Sequence, residues 1–450
     1  MPRPTLKQPA RPDVRPPRRW SFPVPAQAEL DNGLQVLAFQ RDGQHVVSVG
    51  LVLDVPLALE RPEQEGVAAL LQRCLSEGTR RHPDTEFTTA VEGLGASIGG
   101  VVSHATTRIF MDVPSDRLAD GLALLAEAVV EPELSRAAVE RQRGIRLAEI
   151  DQEFANSARR AGIAFRGACI PRRFRLSRSS GGDGASVAGI TAFDVAEFHA
   201  NHYRPAGTTL VIAGELGDGA LAAAERTFGG WAGPPDPDIP RELPQAKKPR
   251  FLLIDRPGAV QADVRLGGFG IDRHDPAYAD LTVGCQALGG AFLSRLNADL
   301  REKHGFTYGV HLSNHSMRSG GLLSMRGSFR TDVAVKALNR AREILDVSSA
   351  PFTQAEVDAA AAFTRGMAPL RFSTAAGITD GVAALVTVGL TTGYVDSFME
   401  LLARVTPESA TQTIGTLLPP NALTLVVVGD AAALADPLTK SGWPVKVTSA

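Results

Sequence analysis

The sequence predicts an α+β protein built from two homologous α/β sandwich domains, each an antiparallel or mixed sheet covered by helices. Three observations carry that expectation. The segment beginning at Ile190 aligns without a gap on the segment beginning at Val405, pairing Thr191 with Thr406, Pro205 with Pro420, Leu210 with Leu425, Val211 with Val426 and Gly214 with Gly429, each 215 positions apart. The same offset sets Val49 on Val264 and Leu51 on Leu266, so a whole domain is repeated and not a short motif. Each half also runs in the same order of strand, helix, hairpin, helices and final strand. Finally, the Pro-rich stretch 233–249 reads as a linker between the halves.

These observations divide the 450 residues into a Pro-rich basic extension (1–28), a first domain (29–232), the linker, and a second domain (250–450). The extension alternates Pro2, Pro4, Pro9 and Pro12 with Arg3, Lys7, Arg11 and Arg15 and has no apolar core of a secretory signal. LQVLAFQ and VVSVGLVLDV read as strands from their β-branched residues and alternation. GVAALLQRCLSEGT reads as an apolar helix closed by Gly78. ASIGGVVSHATTRIFMDVP reads as a hairpin turning near Gly99–Gly100, followed by a helix capped by Ser115. The basic, then Gly/Ser-rich stretch 172–189 reads as a flexible surface loop, since no phosphate-loop context surrounds its glycines. TTLVIAGE is a short buried strand. In the second half, VRLGGFGI is a strand, 293–304 a helix ending at Gly305, and GVHLSNHSMR the first arm of a hairpin turning at Gly320–Gly321.

Composition excludes several functions. With 47 basic and 49 acidic residues the formal net charge is -2, which gives no electrostatic footprint for nucleic acid or an anionic membrane. Cys74, Cys169 and Cys285 are far apart and odd in number, offering neither a disulfide framework nor a metal knuckle. No apolar run is long enough to span a bilayer, and a cytoplasmic location is expected. His199 and His202 fall where a helix ends, and His311 and His315 lie about 13 Å apart along a strand, too far to share one metal.

The order of elements, together with GVAALLQRCLSEGT, LAEI, ITAFDVAEFHANHYRPAGTTLVIAGE and GGAFLSRLNADLREKHGFTYGV, resembles the insulinase/pitrilysin (inverzincin) family of zinc peptidases. Among its members the chain is most similar to the short two-domain bacterial type and the mitochondrial processing peptidase subunits. The family carries HxxEH on a helix: two histidines one turn apart ligate zinc and the glutamate between them activates water. Counting from Gly66 and back from Gly78–Thr79 places that signature on Ala69, Gln72 and Arg73. Alanine offers no donor, glutamine cannot take a proton, and arginine is a permanent cation. Glu149, in LAEI, falls near the expected third ligand; it is either a leftover ligand or an ion-pair partner of Arg73. The second half retains Arg301 and Tyr308, which the resemblance identifies with a pair that the family's C-terminal domain brings over the zinc site, where a phenol and a guanidinium can stabilise an oxyanion.

The resemblance therefore implies the non-zinc subunit of a heterodimeric metallopeptidase. This chain would hold no cofactor, the zinc would sit in a homologous HxxEH partner, and Arg301 and Tyr308 would act on the partner's peptide substrate. The alternatives are a structural subunit like the core proteins of respiratory complexes, or a peptide-binding clamp. Neither nucleic acid nor membrane is expected as a partner.

Overall fold

A computed structural model describes residues 20–235, 237 and 247–449. Most of the expected basic extension and of the expected linker lies outside the described residues. Twelve strands form two six-stranded sheets among the described residues. The first contains β1 (Ala26–Glu29), β2 (Gln35–Gln40), β3 (Val46–Leu53), β4 (Ser97–Val102), β5 (Thr107–Pro114) and β6 (Thr209–Gly214), ordered β1-β2-β6-β3-β5-β4. The second contains β7 (Phe251–Asp255), β8 (Gln261–Gly270), β9 (Val310–Ser316), β10 (Gly321–Arg330), β11 (Thr424–Gly429) and β12 (Lys446–Thr448), ordered β12-β7-β11-β8-β10-β9.

The repeat read from the sequence is a repeat of register. Leu51 stands opposite Leu210 in the first sheet, and Leu266 opposite Leu425 in the second. β6 and β11 are buried along their whole length, as their unbroken apolar runs require of central strands. Only the outer strand differs: β1 comes from the start of the first half, whereas β12 comes from the end of the second. The fold is α+β, with a mixed sheet and covering helices in each half.

One face of each sheet packs on its own half's helices. The other face takes a helix from the opposite half. The helix Ser157–Cys169 buries Ala161, Phe165, Ala168 and Cys169 against Val426, Val428, Ile254 and Leu322 of the second sheet. Reciprocally, the helix Ala375–Thr387 buries Ile378, Val382 and Leu385 against Phe39, Val211 and Ala213 of the first. Ion pairs Arg108–Asp380 and Arg318–Asp54 (2.8 Å) cross the same junction. Trp20 and Phe22 add to it, with Trp20 stacked on Phe372 at 5.9 Å between ring centres. Because each sheet depends on the other half for one of its apolar faces, neither half buries its surface alone.

Several local expectations change. Gly99 and Gly100 lie inside β4, and the hairpin turns instead at Ser103–Thr106, where the Ser103 hydroxyl accepts from the N–H groups of Ala105 (3.2 Å) and Thr106 (3.0 Å). Ser115 opens a short 3-10 turn and caps nothing; its N–H donates to the His45 carbonyl at 2.8 Å. The helix expected over 293–304 begins at Arg295, and its 298–303 portion is widened to a π-type turn. Asn297 anchors that segment to β9, donating to the Val310 carbonyl (3.1 Å) and accepting from its N–H (2.9 Å). No helix among the described residues is long and apolar enough to cross a membrane.

Candidate functional site

The helix Val67–Cys74 places Val67, Ala68, Leu70, Leu71 and Cys74 in the core. Ala69, Gln72 and Arg73, spaced i, i+3 and i+4, form its remaining, partly exposed stripe. Gly66 precedes the helix at φ 105°, and a Cβ there would lie 2.8 Å from the Gly181 carbonyl oxygen. Glu60 caps the helix from six residues upstream, its Oε1 accepting from the N–H groups of Gly66 (3.0 Å) and Ala68 (3.2 Å).

Arg73 reaches across to the helix Arg136–Ala155, where its Nη2 donates to Glu149 Oε2 at 2.6 Å. Glu149 also receives Arg146 Nη1 (3.3 Å), and Arg146 binds Glu153 (3.0 Å), which faces Arg159 (3.8 Å). The result is a ladder of alternating charge that starts on the stripe. Burial works to raise the Glu149 carboxyl, but hydrogen bonds and charge from Arg73, then Arg146, hold it below its ordinary range. Gln72, with its carboxamide oriented to satisfy both groups, donates to the Gly100 carbonyl (3.2 Å) and accepts from the Gly100 N–H (3.3 Å) on edge strand β4. A Cβ at Gly100 would come within 2.5 Å of that carboxamide, so glycine is required there for close approach and not for a turn.

These four residues offer one carboxylate, already shared by two guanidiniums, and no imidazole. That donor set does not fit a zinc ion, which takes three or four nitrogen, sulfur or oxygen ligands. Among the described residues, no group of three or more His, Cys, Asp or Glu side chains is arranged to hold a metal. His199 donates through Nε2 to the Val129 carbonyl at 2.8 Å, and His202 lies against Phe198, so both belong to helix packing.

The stretch 172–189 is tied down along most of its length, which corrects the expectation of a flexible loop. Arg175 is buried and donates through Nε to Glu60 Oε2 (2.8 Å) and through Nη1 to the Ser179 carbonyl (2.7 Å). Arg178 pairs with Glu65 through Nε (2.8 Å), and Arg146 Nε donates to the Gly181 carbonyl (3.0 Å). Gly182, at φ 73°, passes so close to Glu65 that a Cβ would sit 2.1 Å from its carbonyl oxygen. The basic residues that suggest a solvated loop are the ones that fasten it. Glu60, Glu65, Arg146, Arg175 and Arg178 were not legible as a group, since their partners lie up to 115 positions apart.

His104, beside this loop, contacts the Arg178 carbonyl through Nε2 at 2.9 Å. Burial, and then the nearby Arg166 charge, push its imidazole down to about 3. The unfolded chain would take up that proton near 6.5, so it binds more protons than the native state between those values. His104 should therefore cost about 1.4 kcal/mol of stability for each pH unit of acidification below 6.5. Thermal melts from pH 7 to pH 4 should show a shallower decline in His104→Gln; parallel declines would remove this residue from the explanation.

Arg301 and Tyr308 are placed apart from the stripe. The Arg301 guanidinium lies over the Phe292 ring at 3.6 Å, donates to the Phe292 carbonyl (2.8 Å) and pairs with Glu302 (2.7 Å). Tyr308 is 97% exposed, and Phe292 and Leu293 are 73% and 72% exposed. Among the described residues, no hydrogen bond or ion pair joins Arg301 to Tyr308 or either one to the Arg73–Glu149 pair. Arg301 is largely covered by its contacts with Phe292 and Glu302, whereas the Tyr308 ring is open to solvent.

Two family models match the chain: insulinase (peptidase family M16) over residues 36–163, and peptidase M16 inactive domain over 189–363. Bovine cytochrome b-c1 complex subunit 1 is 26% identical over 219 residues, 48% of this chain and 45% of that protein. Thus the chain aligns with less than half the length of this relative. An uncharacterized zinc protease of Streptomyces coelicolor is 24% identical over 401 residues, covering 84% of each chain. The crystal structure of a peptidase M16 inactive domain from Pseudomonas fluorescens superposes with a TM-score of 0.82 at 25% identity, covering 90% of this chain and 98% of that one.

Proposed function

Because the chain belongs to the insulinase (M16) family of peptidases, we propose that it is the non-zinc subunit of a heterodimeric metallopeptidase, working with a homologous chain that carries an intact HxxEH. The observation that carries this reading is the Arg73–Glu149 pair. The pair engages the guanidinium at the position the resemblance gives to the family's second histidine, and Gln72 falls at the position it gives to the general base. In this proposal the chain closes against its partner around a peptide, in the cytoplasm, and supplies a wall of the chamber. Arg301 and Tyr308 reach the peptide bound at the partner's zinc, where the phenol and the guanidinium stabilise the developing oxyanion. Closure must free Arg301 from Glu302, a one-residue neighbour at the surface whose hold on it is weak.

The test is reconstitution with the zinc-bearing homologue and a peptide without acidic residues. Arg301→Ala and Tyr308→Phe should each lower kcat by about 10²-fold or more, the range for removing an oxyanion donor. Wild-type rates in both variants would remove their catalytic role. Similarity to a cytochrome b-c1 complex subunit favours a second reading, an assembly subunit without peptidase function. Under that reading the chain would pair with its partner and change no cleavage rate.

A further inference from the structure

On the face of the second sheet that receives the Ser157–Cys169 helix, residues line up in rows across β8, β10 and β9. One row is Phe269, Leu322 and His315; the next is Gly267, Ser324 and Ser313; the third is Arg265, Arg326 and His311. Beyond it Asp263 stands opposite Ser328, whose hydroxyl donates to its carboxylate at 2.6 Å. Three basic residues thus stand side by side over two strand spacings, about 10 Å. Like charges directly opposite one another destabilise a sheet.

None of the three makes an ion pair among the described residues; the nearest carboxylate, Asp263, acts on Arg265 only through its charge and is itself held by Ser328. Arg265 donates only to the carbonyls of Val264 (2.9 Å) and Ala158 (2.8 Å), while Arg326 is exposed and makes no side-chain hydrogen bond. The duplicated fold provides an internal comparison. In the first sheet the same three positions are Gly50, Phe110 and Gly99, flanked by an equivalent Ser48–Asp112 hydrogen bond of 2.6 Å. The fold builds this row without charge, so the cations are not a requirement of the sheet.

We propose that the Arg265–Arg326–His311 row is a binding site for a carboxylate of a peptide. Guanidinium forks match a carboxylate with two parallel donors. The adjoining row of glycine and two serines sets hydroxyl donors beside them, and the Phe269–Leu322 row offers apolar contact for a neighbouring side chain. The row's length suits one or two carboxylates and is too short to neutralise a run of phosphates, which favours a peptide over a nucleic acid. It is also continuous with the charge ladder: Arg265 holds the Ala158 carbonyl, one residue before Arg159, which faces Glu153. The inference rests on the peptide-handling reading above and narrows it to peptides bearing a carboxylate near the bound segment.

The experiment uses the full chain and fluorescence anisotropy with a dye-labelled unstructured decapeptide carrying two glutamates next to a free C-terminus. The glutamine version and the C-terminal amide are run beside it. The glutamate peptide should bind at least about tenfold more tightly than a glutamine peptide with an amidated end, a difference of 1.4 kcal/mol. Arg326→Gln, at an exposed residue, should abolish that ratio without changing the melt. Loss on amidation alone assigns the α-carboxylate, and loss with glutamine alone assigns the side chains; either supports the site. Equal binding of charged and neutral peptides, a ratio surviving Arg326→Gln, absence of binding, or Arg326-dependent binding of an oligonucleotide in preference to the peptide would each overturn it. Reconstitution with a peptide free of acidic residues tests the subunit reading separately, so the two can fail independently.

Discussion

Glu60→Ala is expected to destabilise the protein by about 3–5 kcal/mol, the cost of stranding a buried charge. The Glu60 side chain is fully buried and its partner Arg175 is 7% exposed. Removing the carboxylate leaves the Arg175 Nε with only the longer 3.8 Å approach of Glu65 and deprives the Gly66 and Ala68 N–H groups of their acceptor. Burial already raises the Glu60 carboxyl against the opposing pull of Arg175, so the pair is held at a desolvation cost. At about 2–4 °C per kcal/mol for a domain of this size, the melting temperature should fall by roughly 10 °C. Glu60→Ala combined with Arg175→Met should recover much of the loss, because an apolar replacement of both partners removes the stranded charge. A melt unchanged by Glu60→Ala would mean that this loop is not what holds the site helix in place.

The second large effect is a gain. Restoring the signature with Ala69→His, Gln72→Glu and Arg73→His should give a chain that retains stoichiometric zinc after dialysis. The two imidazoles would share the exposed stripe, and Arg73→His releases Glu149 from its 2.6 Å ion pair to serve as the third protein ligand. Adding Glu149→Ala should abolish retention. Zinc binding that survives the loss of Glu149, or fails in the triple variant with an unchanged melt, would show that these helices are not set at ligating distance.

The duplication and the two domains were legible because they are written in contiguous strings, buried strands such as TLVIAG and TLVVVG, whereas Ala69, Gln72, Arg73 and the distant Glu149 were picked out by the family resemblance. The exchanged helices were not. Ser157–Cys169 shows an apolar stripe of Ala161, Phe165, Ala168 and Cys169, and nothing in the stripe says which half's sheet it covers. Glycine misled at Gly99–Gly100, where the freedom of the residue suggested a turn but its lack of a side chain was what Gln72 needed. Arginine misled in the 172–189 loop, since Arg175 and Arg178 read as solvated until Glu60 and Glu65 come beside them. Arg301 and Tyr308 were singled out by the family resemblance alone, and among the described residues neither bonds to the Arg73–Glu149 pair.

In the proposed heterodimer this chain completes an active site whose zinc lies on another subunit. The direct measurement is peptide cleavage by the zinc-bearing homologue as this chain is titrated in. This chain alone should cleave nothing, and the rate should rise and saturate at one chain per partner. A rate indifferent to its addition, or metal-dependent cleavage by the isolated chain, would contradict it.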